Sequence, residues 1–371
     1  MDCRVDPGSD NADGTLPSEF VRSLGDPMVT ILITGGAGFM GSNFVHHMAK
    51  RYPEYGLVVL DALTYAGSMD NLPADMQRLS HPTMRFWYGD VRNAELVNSL
   101  VAEADYVVHF AAETHVTRSI FDNRLFFETD VIGTHTVANA VLKSSGRVKR
   151  FIHISSSEVY GTAETPLMDE EHPLKPMSPY ASAKCGADRL VYSYWTTYRL
   201  PCTILRPFNN FGPRQHLEKL VPRFVTSVLL GENLTVHGDG QAARDFVYVG
   251  DVCRAIDLAL HADAQVVDGE VFNVASGQDR SILAIAQDVL GAMSGNGAVI
   301  ENTSNRPGQV TRHTGDYGKI RRVLGWEPEV GWAEGLRRTI KWYSENADWW
   351  EKQVWMRHIP IITASGVREY H

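Results

Sequence analysis

The run Val29-Thr30-Ile31-Leu32-Ile33-Thr34-Gly35-Gly36-Ala37-Gly38-Phe39-Met40-Gly41 decides the fold. Its first half is short and rich in β-branched residues, the pattern of a buried strand. The strand ends in glycines: Gly35, Gly38 and Gly41 form a G-x-x-G-x-x-G loop that opens a helical stretch from Ser42 to Arg51. Glycine permits the tight turn and the close approach of backbone to a pyrophosphate. The helix N-terminus then offers free N–H groups and partial positive charge to the phosphates. A second apolar run, Leu57-Val58-Val59-Leu60, stops at Asp61, twenty residues beyond Gly41. A carboxylate there accepts hydrogen bonds from an adenosine ribose and repels a 2′-phosphate, which favours NAD over NADP. Asp90, after Tyr88-Gly89, ends a third strand. It is placed either to reach the adenine edge or to cap a turn.

Outward from this core the alternation continues. Tyr106–Phe110, Arg150–Ile154 and Cys202–Leu205 have strand character, while Phe126–Ser144 and Tyr180–Tyr198 are helical. Strands alternating with helices at this spacing imply βαβ units. The expected fold class is therefore α/β: a Rossmann-type doubly wound parallel sheet with a smaller C-terminal substrate-binding domain. The expected organisation is a mobile tail at 1–28 and an NAD-binding domain at 29–207, to which 243–276 returns. Residues 208–242 and 277–345 form the substrate domain, and 346–371 a Trp-rich C-terminal tail. Four of the eight tryptophans (Trp342, Trp349, Trp350, Trp355) fall at that end. They act either as anchors holding a helix and tail on the body or as a subunit contact or active-site cover.

Composition narrows the class. The chain has 371 residues, 44% of them hydrophobic, and a formal charge of −9. The charge argues against a nucleic-acid partner. No apolar stretch approaches the roughly 20 residues of a membrane span, and the acidic N-terminus lacks a signal-peptide core. Cys3, Cys185, Cys202 and Cys253 stand far apart, so neither a disulfide framework nor a zinc site is expected, and a cytoplasmic location is. The 14 histidines show no H-E-x-x-H or clustered spacing, so no metal is expected.

Tyr180-Ala181-Ser182-Ala183-Lys184 places a phenol and an ammonium four residues apart, on one helix face. Tyrosine is a poor base at its free pKa of about 10; a neighbouring cation and a positive nicotinamide ring both favour the phenolate. The pair can thus take a proton from a substrate hydroxyl. Ser155-Ser156-Ser157-Glu158 follows the strand Arg150–Ile154, at the sheet edge where α/β ligands bind. A serine hydroxyl there can bond the oxygen that Tyr180 deprotonates.

Together these motifs resemble the extended short-chain dehydrogenase/reductase superfamily, and within it the nucleotide-sugar 4,6-dehydratases, especially the dTDP-glucose enzymes. The supporting text is Leu60-Asp61-Ala62-Leu63-Thr64-Tyr65-Ala66-Gly67, Ala111-Ala112-Glu113-Thr114-His115-Val116, Arg118-Ser119-Ile120 and Glu158-Val159-Tyr160-Gly161. It continues in Asn209-Asn210-Phe211-Gly212-Pro213, Glu218-Lys219-Leu220-Val221-Pro222, Arg244-Asp245-Phe246-Val247-Tyr248-Val249 and Arg306-Pro307-Gly308. The resemblance implies NAD held by Gly35, Gly38, Phe39, Met40, Gly41, Asp61, Ala62, Leu63, Thr64, Asp90, Val91, Ala111, Ala112, Glu113, Thr129, Tyr180 and Lys184. It implies a nucleotide sugar held by Thr114, His115, Ser156, Asn209, Asn210, Lys219, Leu220, Arg244, Asn273 and Arg306, with Thr235 and His237 near the base. Tyr180 would deprotonate the sugar 4-hydroxyl, with Ser156 orienting it and Lys184 binding the nicotinamide ribose. Glu158 would take the C5 proton, water would leave from C6, and the hydride lent to NAD would return there.

One position departs from the dTDP-glucose pattern. The resemblance implies an Asp acid before the Glu, and here that residue is Ser157. GDP-mannose and acetamido-sugar dehydratases are similar in carrying Ser-Glu, but so are UDP-glucuronate decarboxylases, and a 4-epimerase needs only Tyr, Lys and a hydroxyl. A non-catalytic NAD-binding regulator is the remaining alternative, although such proteins usually lose Tyr or Lys. A homodimer through the helices near Phe126–Ser144 and Tyr180–Tyr198 is a further expectation from the resemblance.

Overall fold

The first strand lies inside a seven-stranded, all-parallel sheet, with two strands on one side and four on the other, and the chain winds outward from it in both directions. The structure, a computed structural model, describes residues 28–77, 81, 83–293, 297–303, 310–357, 360–362 and 368–370. Residues 1–27 of the expected tail at 1–28, Cys3 among them, and Arg306 lie outside the described residues.

In chain order the first half runs β1 (Thr30–Thr34), α1 (Phe39–Arg51), β2 (Gly56–Asp61), β3 (Met84–Tyr88), α2 (Ala94–Val101), β4 (Tyr106–His109), α3 (Val116–Phe121) and α4 (Asn123–Phe126). It continues through α5 (Thr134–Lys143), β5 (Arg150–Ile154), α6 (Pro179–Tyr198) and β6 (Cys202–Pro207). The second half adds β7 (Asn209–Phe211), α7 (Leu220–Leu230), β8 (Leu234–His237), β9 (Ala243–Tyr248), α8 (Val249–His261), α9 (Ala264–Val267) and β10 (Val271–Val274). It closes with β11 (Asp279–Ser281), α10 (Ile282–Ala292), β12 (Ile300–Thr303), β13 (Arg312–His313), α11 (Gly318–Leu324), α12 (Trp332–Glu345) and α13 (Ala347–Trp350).

The sheet order β3-β2-β1-β4-β5-β6-β10 reverses between β1 and β4. Ligands of doubly wound sheets bind at such a switch point, beyond the carboxyl ends of the strands. Strand periodicity of two divides the core. Ile31 and Ile33 face one apolar layer with Phe44, Ile256 and Phe272, while Leu32 faces the other with Val107, Val137 and Val191. Burial on both faces is why β1 and β2 read as continuous apolar runs, Ile31–Ile33 and Leu57–Leu60.

One expected helix differs. Phe126–Ser144 is not a single α-helix, because Phe127–Gly133 winds as a π-helix between α4 and α5. The wider turn carries Asp130 into the interior at 1% exposure. Such bulges gather at functional sites.

Outside the large sheet, β9 pairs with β7, β11 and β13, and β8 pairs with β12. Phe211, Phe224, Val228, Leu336, Tyr343 and Trp350 form a separate apolar cluster around these elements. Trp349 and Trp350 are buried anchors, whereas Trp355 is 77% exposed. Among the described residues, no helix is long and apolar enough to cross a membrane.

Candidate active site

One continuous cavity of about 890 Å³ runs from the glycine-rich loop to Lys219, His237 and Arg244. At its cofactor end the sequence requirement for glycine is steric. Gly35 has φ +70°, and a Cβ there would meet the Ala111 backbone nitrogen at 2.5 Å. A Cβ on Gly41 would sit 2.3 Å from the Gly35 carbonyl oxygen. Gly38 caps α1 without any side-chain acceptor, so the first N–H groups of that helix face the cavity without a side-chain cap. Asp61 Oδ2 accepts from the Ala37 N–H and Oδ1 from the Leu63 N–H, each at 2.8 Å. Burial pushes this carboxyl up, and the two backbone bonds oppose it. An anion-binding helix start beside an oriented carboxylate fits the diphosphate and ribose of a dinucleotide.

The reacting groups come from two elements. Ser156 Oγ accepts from the Glu158 N–H at 3.2 Å and so caps the 3-10 turn Ser157–Tyr160, which fixes Glu158 at the cavity wall. Ser178 Oγ caps α6 by accepting from the Ala181 N–H at 3.1 Å, with Pro179 at the first position, and this sets where Tyr180 points. Burial raises the Tyr180 phenol well above its ordinary range; a hydrogen bond with Ser156 acts the other way. Lys184 is buried behind the wall and donates to the Ile154 carbonyl at 2.7 Å. Burial pushes its ammonium down, against the pull of Asp130 and Asp188.

The structure brings most of the expected residues together. Gly35, Gly38, Phe39, Met40, Gly41, Asp61, Ala62, Thr64, Asp90, Val91, Ala111, Ala112, Glu113 and Thr129 line the cofactor end. Thr114, His115, Ser156, Ser157, Glu158, Tyr180, Asn209, Asn210, Lys219, Leu220, His237 and Arg244 line the rest. Leu63, Thr235 and Lys184 are not on the wall. Leu63 packs against the core at φ +47°, acting on the site through its N–H to Asp61. Asn273 also departs from its expected place at the diphosphate. It is fully buried beside β6, accepting from the Tyr160 hydroxyl at 2.8 Å and donating to the Met168 carbonyl at 2.9 Å. Its amide is committed to the interior.

Several wall residues went unassigned in the sequence. The Glu218 side chain is fully buried, accepting from Tyr65 Oη at 2.7 Å and from Arg118 Nε at 3.0 Å. Burial alone would raise this carboxyl, but His115, Lys219, His216 and Arg118 pull it down to about 2. Arg118 also stacks over the Tyr65 ring at 4.0 Å. Nearby Glu113 has fewer compensating charges, and burial pushes it up to about 7. His313 lies 3.5 Å from Ser157 Oγ, and burial holds its imidazole down at about 4. Tyr65, Arg118 and Glu218 fall at no spacing that marks them as functional. His313 is separated from Ser157 by 156 positions, beyond any local pattern.

The switch-point cavity, glycine loop and Ser-Tyr-Lys arrangement define an extended short-chain dehydrogenase/reductase. The family described as GDP-mannose 4,6 dehydratase matches residues 32–339, and the chain belongs to it. The chain is 45% identical over 313 residues to the low-salt glycan biosynthesis protein Agl12 of Haloferax volcanii, covering 84% of this chain and 98% of that one. It is 40% identical over 328 residues to a dTDP-glucose 4,6-dehydratase of Streptomyces antibioticus, covering 87% and 95%. Among solved structures it is similar to DesIV, a dTDP-glucose 4,6-dehydratase from Streptomyces venezuelae with NAD and TYD bound. The TM-score is 0.82 at 41% identity, over 87% of this chain and 99% of that one.

Proposed function

We propose that the chain is an NAD-dependent nucleotide-sugar 4,6-dehydratase, converting an NDP-hexose to the NDP-4-keto-6-deoxyhexose. The observation that carries this reading is Glu158. Its carboxylate stands in the turn capped by Ser156, on the same cavity wall as Tyr180. Oxidation and reduction at C4 alone need no such base.

The glycine loop would hold the pyrophosphate of NAD, and Asp61 the adenosine ribose. When bound, NAD supplies reversible redox chemistry, taking a hydride from C4 and returning it at C6. Tyr180 accepts the proton of the 4-hydroxyl while Ser156 bonds that oxygen. Lys184, held on the Ile154 carbonyl, contributes positive charge behind the wall rather than a contact within it. The 4-ketone acidifies C5, and Glu158 removes that proton. Lys219 and Arg244, on the wall at the far end, would face the diphosphate, which is how a net-acidic chain could hold a polyanion.

The purified chain, incubated in deuterated water with nucleotide-diphosphate glucoses, acetamido sugars and UDP-glucuronate, is expected to give a 4-keto-6-deoxy product labelled at C5. Carbon dioxide from UDP-glucuronate would instead establish a decarboxylase, and C4 inversion without elimination an epimerase.

A homodimer and a cytoplasmic location belong to the same reading. Ile132, Leu142, Tyr192 and Tyr198 leave apolar surface exposed along the π-helix, α5 and α6, as expected of helices that pair across a subunit interface. Sedimentation at twice the chain mass is expected; a monomer at micromolar concentration would remove the dimer. Cys185, Cys202 and Cys253 are free thiols, in keeping with a reducing compartment.

A further inference from the structure

The Trp-rich segment takes no part in this chemistry, yet a line of buried hydrogen bonds joins it to the glycine loop. Trp349 Nε1 donates to Asn71 Oδ1 at 2.8 Å. Asn71 Nδ2 donates to the Ala37 carbonyl at 2.7 Å, and the Ala37 N–H donates to Asp61 Oδ2 at 2.8 Å. Asn71 is 1% exposed and Ala37 is 0% exposed, so water does not compete for these bonds. The Ser68 N–H donates to the same Ala37 carbonyl at 3.1 Å. The peptide groups on both sides of Ala37, at the middle of the loop, are therefore fixed.

Asn71 and Trp349 are themselves held. Asn71 closes the 3-10 turn Met69–Asn71, which Ser68 caps by accepting from the Asp70 N–H at 3.2 Å. Lys352, three residues beyond Trp349, pairs with Asp70. The Trp349 ring packs edge-on against Trp342 at 4.9 Å, and its carbonyl accepts from Gln353 Nε2 at 2.9 Å.

We infer that the C-terminal Trp segment is an intramolecular brace on the dinucleotide loop, with Trp349 and Asn71 as positioning residues for the cofactor. A loop whose backbone N–H groups must converge on an anion gains affinity when that conformation is set beforehand. Gly35 and Gly38 make this loop intrinsically free in φ and ψ, so its order must come from outside it. The bonds through Asn71 supply that order from a segment some 280 positions away in the chain. The inference rests on the glycine loop being the NAD site.

The test uses the full-length chain and NAD titration followed by calorimetry, with thermal unfolding measured in parallel. Trp349→Phe removes the donor and trims the indole to a phenyl ring, a loss of volume that the Trp350→Phe control shares; it is expected to weaken NAD binding about 5- to 10-fold, the usual consequence of one lost buried hydrogen bond. Asn71→Ala is expected to weaken it further, and the double variant to match Asn71→Ala, because both changes break one line. The control is Trp350→Phe, whose indole donates to the Tyr343 carbonyl at 2.8 Å within the segment. It should lower the melting temperature and leave NAD affinity at the wild-type value. Wild-type affinity in Trp349→Phe, or equal weakening in Trp350→Phe, would reduce the segment to ordinary packing and overturn the brace. A wild-type chain that binds no NAD would overturn the cofactor reading, and the brace with it.

Discussion

Glu158→Gln is expected to lower dehydratase turnover by about 10²- to 10⁴-fold or more, the range for losing a positioned general base. The amide is isosteric, so the cap from Ser156 to the residue-158 N–H survives and the fold is undisturbed. The loss falls on one step. Tyr180 still takes the 4-hydroxyl proton, so oxidation at C4 proceeds and reduced cofactor builds up on the enzyme, visible by its absorbance. The C5 proton then has no acceptor, and solvent deuterium does not enter at C5. Proton counting explains why this residue carries so much. Elimination releases a C5 proton and requires one at the departing C6 oxygen, and Ser157 beside Glu158 cannot serve as an acid at neutral pH. In the proposed mechanism Glu158 therefore both takes the C5 proton and returns one to the departing oxygen. Near-wild-type turnover in the variant would remove it from the mechanism.

What was legible in the sequence was local. Gly35 and Gly41 announce themselves because positions that admit no Cβ leave glycines at fixed spacing. Asp61 follows because a strand that begins after α1 must end near the loop. Tyr180 and Lys184 share a face because 3.6 residues make a turn. The failures share a physical cause, namely dependence on which way a side chain turns once distant segments pack. Asn273 sits on β10, and lateral pairing with β6 places Arg206 as its partner in register. That places its side-chain amide between the Tyr160 hydroxyl and the Met168 carbonyl, with its backbone N–H donating to Glu170, rather than at the diphosphate. Lys184 has the right spacing but is buried behind the wall, where its ammonium donates to the Ile154 carbonyl. Asp130 is turned inward by one π-helical widening that apolar periodicity does not encode. There it accepts from the Glu113 N–H at 2.7 Å. The Tyr65–Glu218–Arg118 contacts join two loops and α3, whose separations exceed any motif. Their chemistry is legible only once the switch point gathers them.

The largest stability effect is expected at Asp188, one helical turn beyond Lys184 and directly beneath the serine turn. Its carboxylate is 0% exposed and accepts from Arg206 Nε at 2.9 Å, Arg206 Nη2 at 3.0 Å and Ser155 Oγ at 2.6 Å. Arg206, at 2% exposure, bonds in turn to the Tyr160 hydroxyl at 2.8 Å. Asp188→Ala strands that guanidinium in the core, and removing one member of a buried pair costs about 3–5 kcal/mol. That is a large share of the roughly 5–15 kcal/mol that holds a domain together. Asp188→Asn keeps an acceptor for Ser155 but not the charge for Arg206, so it should fall between wild type and the alanine variant. The pH dependence has a definite sign. Burial alone would raise this carboxyl, but the bonds and charge of Arg206 hold it far below the ordinary carboxylate range. The contribution is thus present above the unfolded pKa of about 3.9 and is lost as pH falls toward the folded value. Urea unfolding at neutral pH should show the full gap between wild type and Asp188→Ala, and the gap should narrow steadily as pH drops below about 4. A deficit under about 1 kcal/mol at neutral pH, or one independent of acid, would mean that Arg206 finds another partner. Because Ser155 adjoins Ser156, the same variant should also lose activity while still folded, through a displaced serine turn rather than any missing reactive group.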